Sequence, residues 1–141
     1  MMKNTLSVQP IALLFRNLSQ PDRVRILLTI GAGEACVCHL EAYLGLRQAY
    51  LSQHLMALRK AHILKSRREG RYIFYRLADS KLLDLIRMAG HMMGVALTDL
   101  EPSMPSAAAF NCPCPHCSDS ADEDAGCCAN EQTDDRLIEV H

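Results

Sequence analysis

Residues 36–77, CVCHLEAYLGLRQAYLSQHLMALRKAHILKSRREGRYIFYRL, leave few ways to fold. A short helix carrying two cysteines runs into a turn centred on Gly45, an amphipathic helix follows over about residues 48–62, and two strand-like runs meet at Glu69-Gly70. In the longer helix Leu51, Leu55 and Leu58 recur at helical spacing, so they form one buried stripe. Leu40, Tyr43 and Leu44 face that stripe across the Gly45 turn and give the two helices a shared core. Gln48, Ser52, Gln53 and Arg59, with part of Tyr50, are left on the outer side.

The run Tyr72-Ile73-Phe74-Tyr75 alternates as a strand does, while Lys65, Arg67, Arg68 and Arg71 crowd the hairpin tip and its approaches. Two helices at a tight turn followed by a basic hairpin predict an α+β, mainly helical fold, a winged helix-turn-helix with a two-stranded wing. Such a unit lays its second helix in the major groove of double-stranded DNA and its wing on the flanking backbone. Gln48, Tyr50, Ser52 and Gln53 are then the candidate base and phosphate contacts, and Arg67, Arg68 and Arg71 the candidate wing contacts. A solvated surface helix and an arginine-rich hairpin of another small domain would use the same residue types.

The charge distribution favours the first reading. Residues 1–78 hold twelve Lys or Arg against four Asp or Glu, and residues 79–141 hold three against twelve, although the whole chain of 141 residues sums to −1. The basic half is the helix-hairpin half, as a polyanion-binding surface requires. No apolar run reaches the length of a membrane span and the N-terminus has no signal-like segment, so a cytoplasmic location is expected. Seven cysteines then read as thiolates for metal or redox chemistry rather than as a disulfide framework.

Before this stretch, Val8, Ile11, Leu14, Phe15 and Leu18 fall at helical spacing over residues 5–18, with Pro10 placing the helix start near itself. Pro21 suits the first turn of a second helix ended by Gly31-Ala32-Gly33. After the hairpin, Asp79 is the expected N-cap of a helix running to about Leu100. Its stripe of Leu82, Ile86, Ala89, Met93, Ala96 and Leu100 is long enough to pair two helices, so dimerising terminal helices and a homodimer are expected. Residues 5–100 form the predicted domain. Residues 101–141, opening on Pro and Ser, are expected to be a flexible, acidic, cysteine-rich tail.

Cys36 and Cys38 diverge by about 200° in the middle of a helix, so converging on one ion requires the pair to sit at the helix entry or that first turn to loosen. Two sulfurs do not complete a soft-metal site. His39 is a nearby donor candidate, and Cys112, Cys114 and Cys117 of the tail are stronger ones, with His116 in reserve. Cys127 and Cys128 fit redox chemistry, terminal ligation or neither. His54, His62 and His91 show no ordered nucleophile and acid, and no glycine-rich phosphate cradle follows a strand, so an enzyme is not expected. His54 reads as a packing or phosphate contact.

Cys36-Val37-Cys38, Leu44-Gly45-Leu46, Leu51-Ser52-Gln53-His54-Leu55, and Gly70-Arg71 followed by Tyr75-Arg76-Leu77 together resemble the arsenic-repressor-like (ArsR/SmtB) family of metal-responsive transcriptional repressors, over roughly residues 8–100. The resemblance implies a homodimer that occupies operator DNA when metal-free and releases it when a thiophilic ion, Cd(II), Pb(II), As(III) or Zn(II), binds the cysteine pair. It also implies that Gln48, Ser52 and Gln53 read or position DNA and that the segment from Arg67 to Arg71 is the wing. Three departures stand out. Glu41 replaces the third cysteine of the arsenite type, no cysteine precedes Glu34, and Asp79-Ser80-Lys81 is a poor match to the zinc type's ligands. Tail cysteines are the expected replacement. A thiol redox-responsive repressor, and a metal-buffering or protein-interaction module without an operator, are the other readings.

Overall fold

The computed structural model describes residues 2–100, so the tail with Cys112, Cys114 and Cys117 lies outside the described residues. α1 (Met2–Leu18) continues on both sides of Pro10 rather than starting near it. Inside a helix proline removes one backbone donor and crowds the preceding turn, so the expectation of a start near Pro10 follows the local preference, and the rest of α1 overrides it. Pro21 is the first residue of α2 (Pro21–Ile30), where no intrahelical donor is needed.

β1 (Glu34–Cys36) leads into α3 (Val37–Leu44), and α4 (Gln48–Lys60) follows after a turn. Gly45 makes that turn at φ 66°, ψ 22°, a left-handed conformation that side chains resist, and its N–H bonds the carbonyl of Glu41 at 3.0 Å. The expected inner stripe is present, since Leu51, Leu55 and Leu58 are each 0% exposed. They pack with Ile26 and Leu27 of α2 and with Leu40 and Leu44 of α3 in one core. Burial of each such side chain contributes about 1.5–3 kcal/mol.

β2 (Leu64–Glu69) and β3 (Tyr72–Leu77) form the wing hairpin, with Glu69 opposite Tyr72. The turn residues are Gly70 and Arg71; Gly70 alone takes a positive φ, 60°, as the first position of a type II′ hairpin turn does. The expected two-stranded wing is present and belongs to a three-stranded sheet, in the order β1-β3-β2 with both pairings antiparallel. A three-residue strand buried throughout has no alternation to reveal it, and its existence depends on the free edge of β3.

α5 (Lys81–Met92) begins as expected, because Asp79 Oδ1 accepts the Lys81 N–H at 2.9 Å. It does not reach Leu100. The chain turns through Gly94 at φ 75°, and α6 (Leu97–Leu100) folds back so that Leu100 covers Gly90. A Cβ on residue 90 would stand 2.5 Å from Leu100 Cδ1, so the missing side chain makes room for the return.

The six-residue stripe is therefore broken. Leu82 and Ile86 join the domain's own core, whereas Met93 is 80% exposed. Exposed apolar side chains among the described residues include Val8, Ile11, Leu13 and Phe15 of α1, Met88 and Met92 of α5, and Met93, Val95 and Leu97 beyond it. A cavity of about 430 Å³ bounded by Leu14, Leu82 and Leu85 places α1 beside α5.

Candidate metal centre and nucleic-acid interface

The third strand explains how the cysteines converge. Cys36 is the last residue of β1, opposite Phe74, and at the same time the N-cap of α3, where its Sγ accepts the His39 N–H at 3.4 Å. Cys38 is the second residue of the helix. Because Cys36 is extended, at φ −80° and ψ 159°, its side chain is not subject to helical divergence, and the two sulfurs lie 2.9 Å apart. The amino end of α3 faces this pair and stabilises negative charge on sulfur.

Cys36 is 1% exposed and Cys38 is half-buried. Both line a cavity of about 270 Å³ whose other walls include Glu41 of α3, Gln48 and Ser52 of α4, and Arg71 and Tyr72 of the wing. The sulfur pair thus opens into the space between the second helix of the helix-turn-helix and the hairpin tip. Among the described residues no group of three Cys, His, Asp or Glu side chains is placed to hold a metal ion. The two thiols suit a thiophilic cation chemically but supply only part of a ligand set. His39 does not extend it. That ring is 0% exposed and lies off the cavity wall; burial lowers its pKa and keeps it neutral, the form that could ligate, so it is position that separates it from the sulfurs.

On α4, Gln48, Tyr50 and Gln53 are exposed and Ser52 is half-buried on the cavity wall. The Tyr50 hydroxyl donates to Asp22 Oδ2 at 2.6 Å, which holds the Asp22 carboxyl below its usual pKa and raises that of the phenol. The hydroxyl of Tyr50 is thus already engaged, and the residue is 43% exposed. His54 is a packing residue: it is 6% exposed, its Nδ1 accepts from Arg23 Nε at 3.2 Å, and its ring meets Tyr50 edge-on at 4.5 Å.

The wing arginines divide into two kinds. Arg71 is exposed at the tip, and Arg68 is exposed with its Nε bonded to the Gly70 carbonyl at 3.0 Å. Lys65 is exposed as well. Arg67, expected among the backbone contacts, is placed differently. It donates to Glu34 Oε2 at 2.7 Å and to Glu69 Oε2 at 3.0 Å, and its guanidinium stacks 4.5 Å from the Phe74 ring centroid. Burial opposes its charge, but the two carboxylates outweigh burial and raise its pKa. Arg67 ties the wing to β1, a role that follows from the pairing of β1 with β3 and has no local signal. The bonds from Arg23 to Asn17 and His54 are equally unreadable in the sequence, since they join three helices through isolated polar residues.

No helix among the described residues is long and apolar enough to cross a membrane. The profile described as "Bacterial regulatory protein, arsR family" matches residues 20–66, from α2 into β2. A biofilm growth-associated repressor of Agrobacterium fabrum is 46% identical over 76 residues, 54% of this chain and 65% of that protein. The chain thus spans just under two thirds of that relative. An uncharacterized HTH-type transcriptional regulator of Methanocaldococcus jannaschii is 33% identical over 80 residues, covering 56% of this chain and 90% of that one. The crystal structure of the transcriptional repressor BigR from Xylella fastidiosa superimposes with a TM-score of 0.57 at 32% identity, over 65% of this chain and 95% of the other. These proteins are described as regulators or repressors, none of them as an enzyme. With its winged helix-turn-helix and a cysteine pair at the start of the first of its two helices, α3, the chain belongs to the arsR family of bacterial regulatory proteins.

Proposed function

We propose that the protein is a homodimeric transcriptional repressor that binds double-stranded operator DNA and releases it when a thiophilic ion is bound. Gln48, Ser52 and Gln53, with the ring of Tyr50, meet base edges and phosphates, and Lys65, Arg68 and Arg71 meet the flanking backbone. The exposed apolar faces of α1 and α5 take the second copy. Cys36 and Cys38 supply two sulfurs, and tail cysteines among Cys112, Cys114 and Cys117 complete the set. Three thiolates suit As(III) or Pb(II), and four suit Cd(II) or Zn(II).

One observation carries this reading. The sulfurs, 2.9 Å apart, share a cavity with Gln48, Ser52 and Arg71, so an ion held there and DNA held by those residues act on one another directly. Such coupling is reciprocal: if the ion weakens operator binding, the operator weakens ion binding by the same factor. Titration of Cd(II) into free and operator-bound protein tests it, with the Cys36→Ser/Cys38→Ser double variant as control. Weaker binding to the DNA complex, lost in the variant, is expected. Equal affinities for the free and bound protein overturn the proposal.

The same sulfur separation favours a second reading, oxidation of the pair. Two thiols and one peroxide would give a disulfide and two waters, and the switch would then work in metal-free protein. Operator release by peroxide without metal, together with no release by Cd(II) under reducing conditions, would select it.

A further inference from the structure

We propose that Ala49 and Met56 read thymine methyl groups on either side of a base pair held by Gln53, so that each operator half-site carries two such thymines about three base pairs apart. The inference rests on the reading of α4 as the helix that enters the major groove. It adds which residues stand at the centre of that helix's outer face and which chemical feature of the bases they recognise.

Three sides of α4 are already occupied. Leu51, Leu55 and Leu58 point into the core. Gln48 and Ser52 stand on the wall of the cavity shared with the wing. On the opposite flank Tyr50 and His54 are held by consecutive residues of α2, the hydroxyl by Asp22 Oδ2 at 2.6 Å and the imidazole by Arg23 Nε at 3.2 Å. Positions 49, 53, 56 and 60 are left, and at 3.6 residues per turn they fall within an arc of roughly 60° opposite the leucines. Ala49, Gln53 and Lys60 are exposed, and Met56 is 47% exposed. The middle of the reading face is thus apolar, polar and apolar, with a cation at its end.

Those residue types match particular base edges. In the major groove thymine presents a C5 methyl, the one apolar group there, and the side chain of Gln53 pairs a donor with an acceptor as adenine N6 and N7 require. Side-chain length follows the docking geometry, in which the amino end of a recognition helix lies closest to the bases. Ala49 is the second residue of α4, where a single methyl reaches. Met56 lies two turns further on, and its long, unbranched side chain spans the wider gap. From 49 to 56 the helix rises about 10 Å, or about three base-pair steps.

The surrounding charge selects a nucleic acid as the occupant. None of the thirteen residues of α4 is Asp or Glu. The exposed Arg47 precedes the helix and the exposed Lys60 ends it, while Lys65, Arg68 and Arg71 add three exposed cations on the wing. An apolar and amide centre with cations around it complements a duplex groove, where phosphates border base edges.

The test uses full-length, metal-free protein and the duplex that it selects from a random pool, with Kd read by fluorescence anisotropy at fixed salt. Each thymine of one half-site is replaced in turn by uracil, which removes the C5 methyl and leaves base pairing intact. For the wild type, uracil is expected to raise Kd about fourfold, the weight of one buried methyl, at two positions about three base pairs apart. In Met56→Ala the penalty disappears at one of these positions and persists at the other, and in Ala49→Gly the pattern is reversed. Circular dichroism checks that both variants are folded; should Ala49→Gly disturb α4, the exposed Met56 decides alone. If uracil costs nothing at any position, or if both penalties survive in the Met56→Ala variant, methyl reading by this face is overturned and the ion-responsive repressor stands. If no duplex is retained over a scrambled one, the parent reading falls, and this inference with it.

Discussion

Arg67 and Glu34 are joined by a hydrogen bond of 2.7 Å, with Arg67 16% and Glu34 8% exposed, and this pair fastens β2 to the strand that ends in Cys36. The wing and Cys36 are therefore parts of one sheet. Cys36 is paired with Phe74 of β3, and Arg67 is stacked on the Phe74 ring.

The division among the wing arginines predicts opposite phenotypes. Arg67→Ala leaves the Glu34 carboxylate buried without its main partner and should cost about 2–4 kcal/mol of stability, read by urea denaturation. Arg71→Ala should change stability by no more than about 0.5 kcal/mol. In binding, Arg71→Ala should lower the slope of log K against log salt by about 2 for a dimer, since each subunit loses one phosphate contact. An equal loss of salt dependence in the two variants would refute the assignment.

His54 predicts a pH dependence of stability. Burial, followed by the charge of Arg23, lowers its pKa in the folded protein, with Asp22 opposing more weakly. The unfolded chain then binds the proton more readily, so stability is unaffected above about pH 7 and declines as the pH falls below the ordinary histidine value of about 6.5. The slope cannot exceed about 1.4 kcal/mol per pH unit, the limit for one proton. His54→Asn should make the profile between pH 7 and 5 flatter, by no more than one proton. An unchanged slope would remove His54 as its source.

The apolar surface on α1 and α5 predicts an assembly phenotype. Phe15, 53% exposed, and Met92, 78% exposed, contribute little to the core of one chain. Phe15→Glu combined with Met92→Glu should shift the sedimentation of the protein from dimer to monomer while its circular dichroism is unchanged. Operator affinity should fall with it, because one reading head loses the second at fixed spacing. A variant that remains dimeric places the interface elsewhere.

His62 predicts a gain. It follows α4 at φ 59°, a left-handed conformation that costs a side-chain-bearing residue about 1–2 kcal/mol, and it is exposed. Glycine removes that strain and adds back some unfolded-state entropy, so His62→Gly should raise stability by about 0.5–1 kcal/mol, seen as a higher urea midpoint at constant m-value.

Periodic features are legible in the amino-acid sequence. The Leu51, Leu55 and Leu58 stripe, the Gly45 turn, the Asp79 cap and the wing hairpin each occupy a few consecutive residues whose spacing or backbone preference carries the signal. A continuous last helix does not form, because the alternating stripe from Leu82 to Leu100 contains Gly90 and Gly94. Their effect depends on what packs against them.

The winged helix-turn-helix architecture, the basic character of the helix-hairpin half and the Cys36-Val37-Cys38 pair that precedes it were determined by the sequence alone, through local periodicity, turn chemistry and charge segregation. Only the tertiary structure decided that Arg67 is a strut while Arg71 is exposed at the tip, that Cys36 ends a strand, and that the cysteines share a cavity with Gln48 and Ser52. These relations join residues about 10 to 35 positions apart. Their geometry follows from which strand edges and helix faces are left to one another once the leucine core has closed, and no window along the chain contains that information.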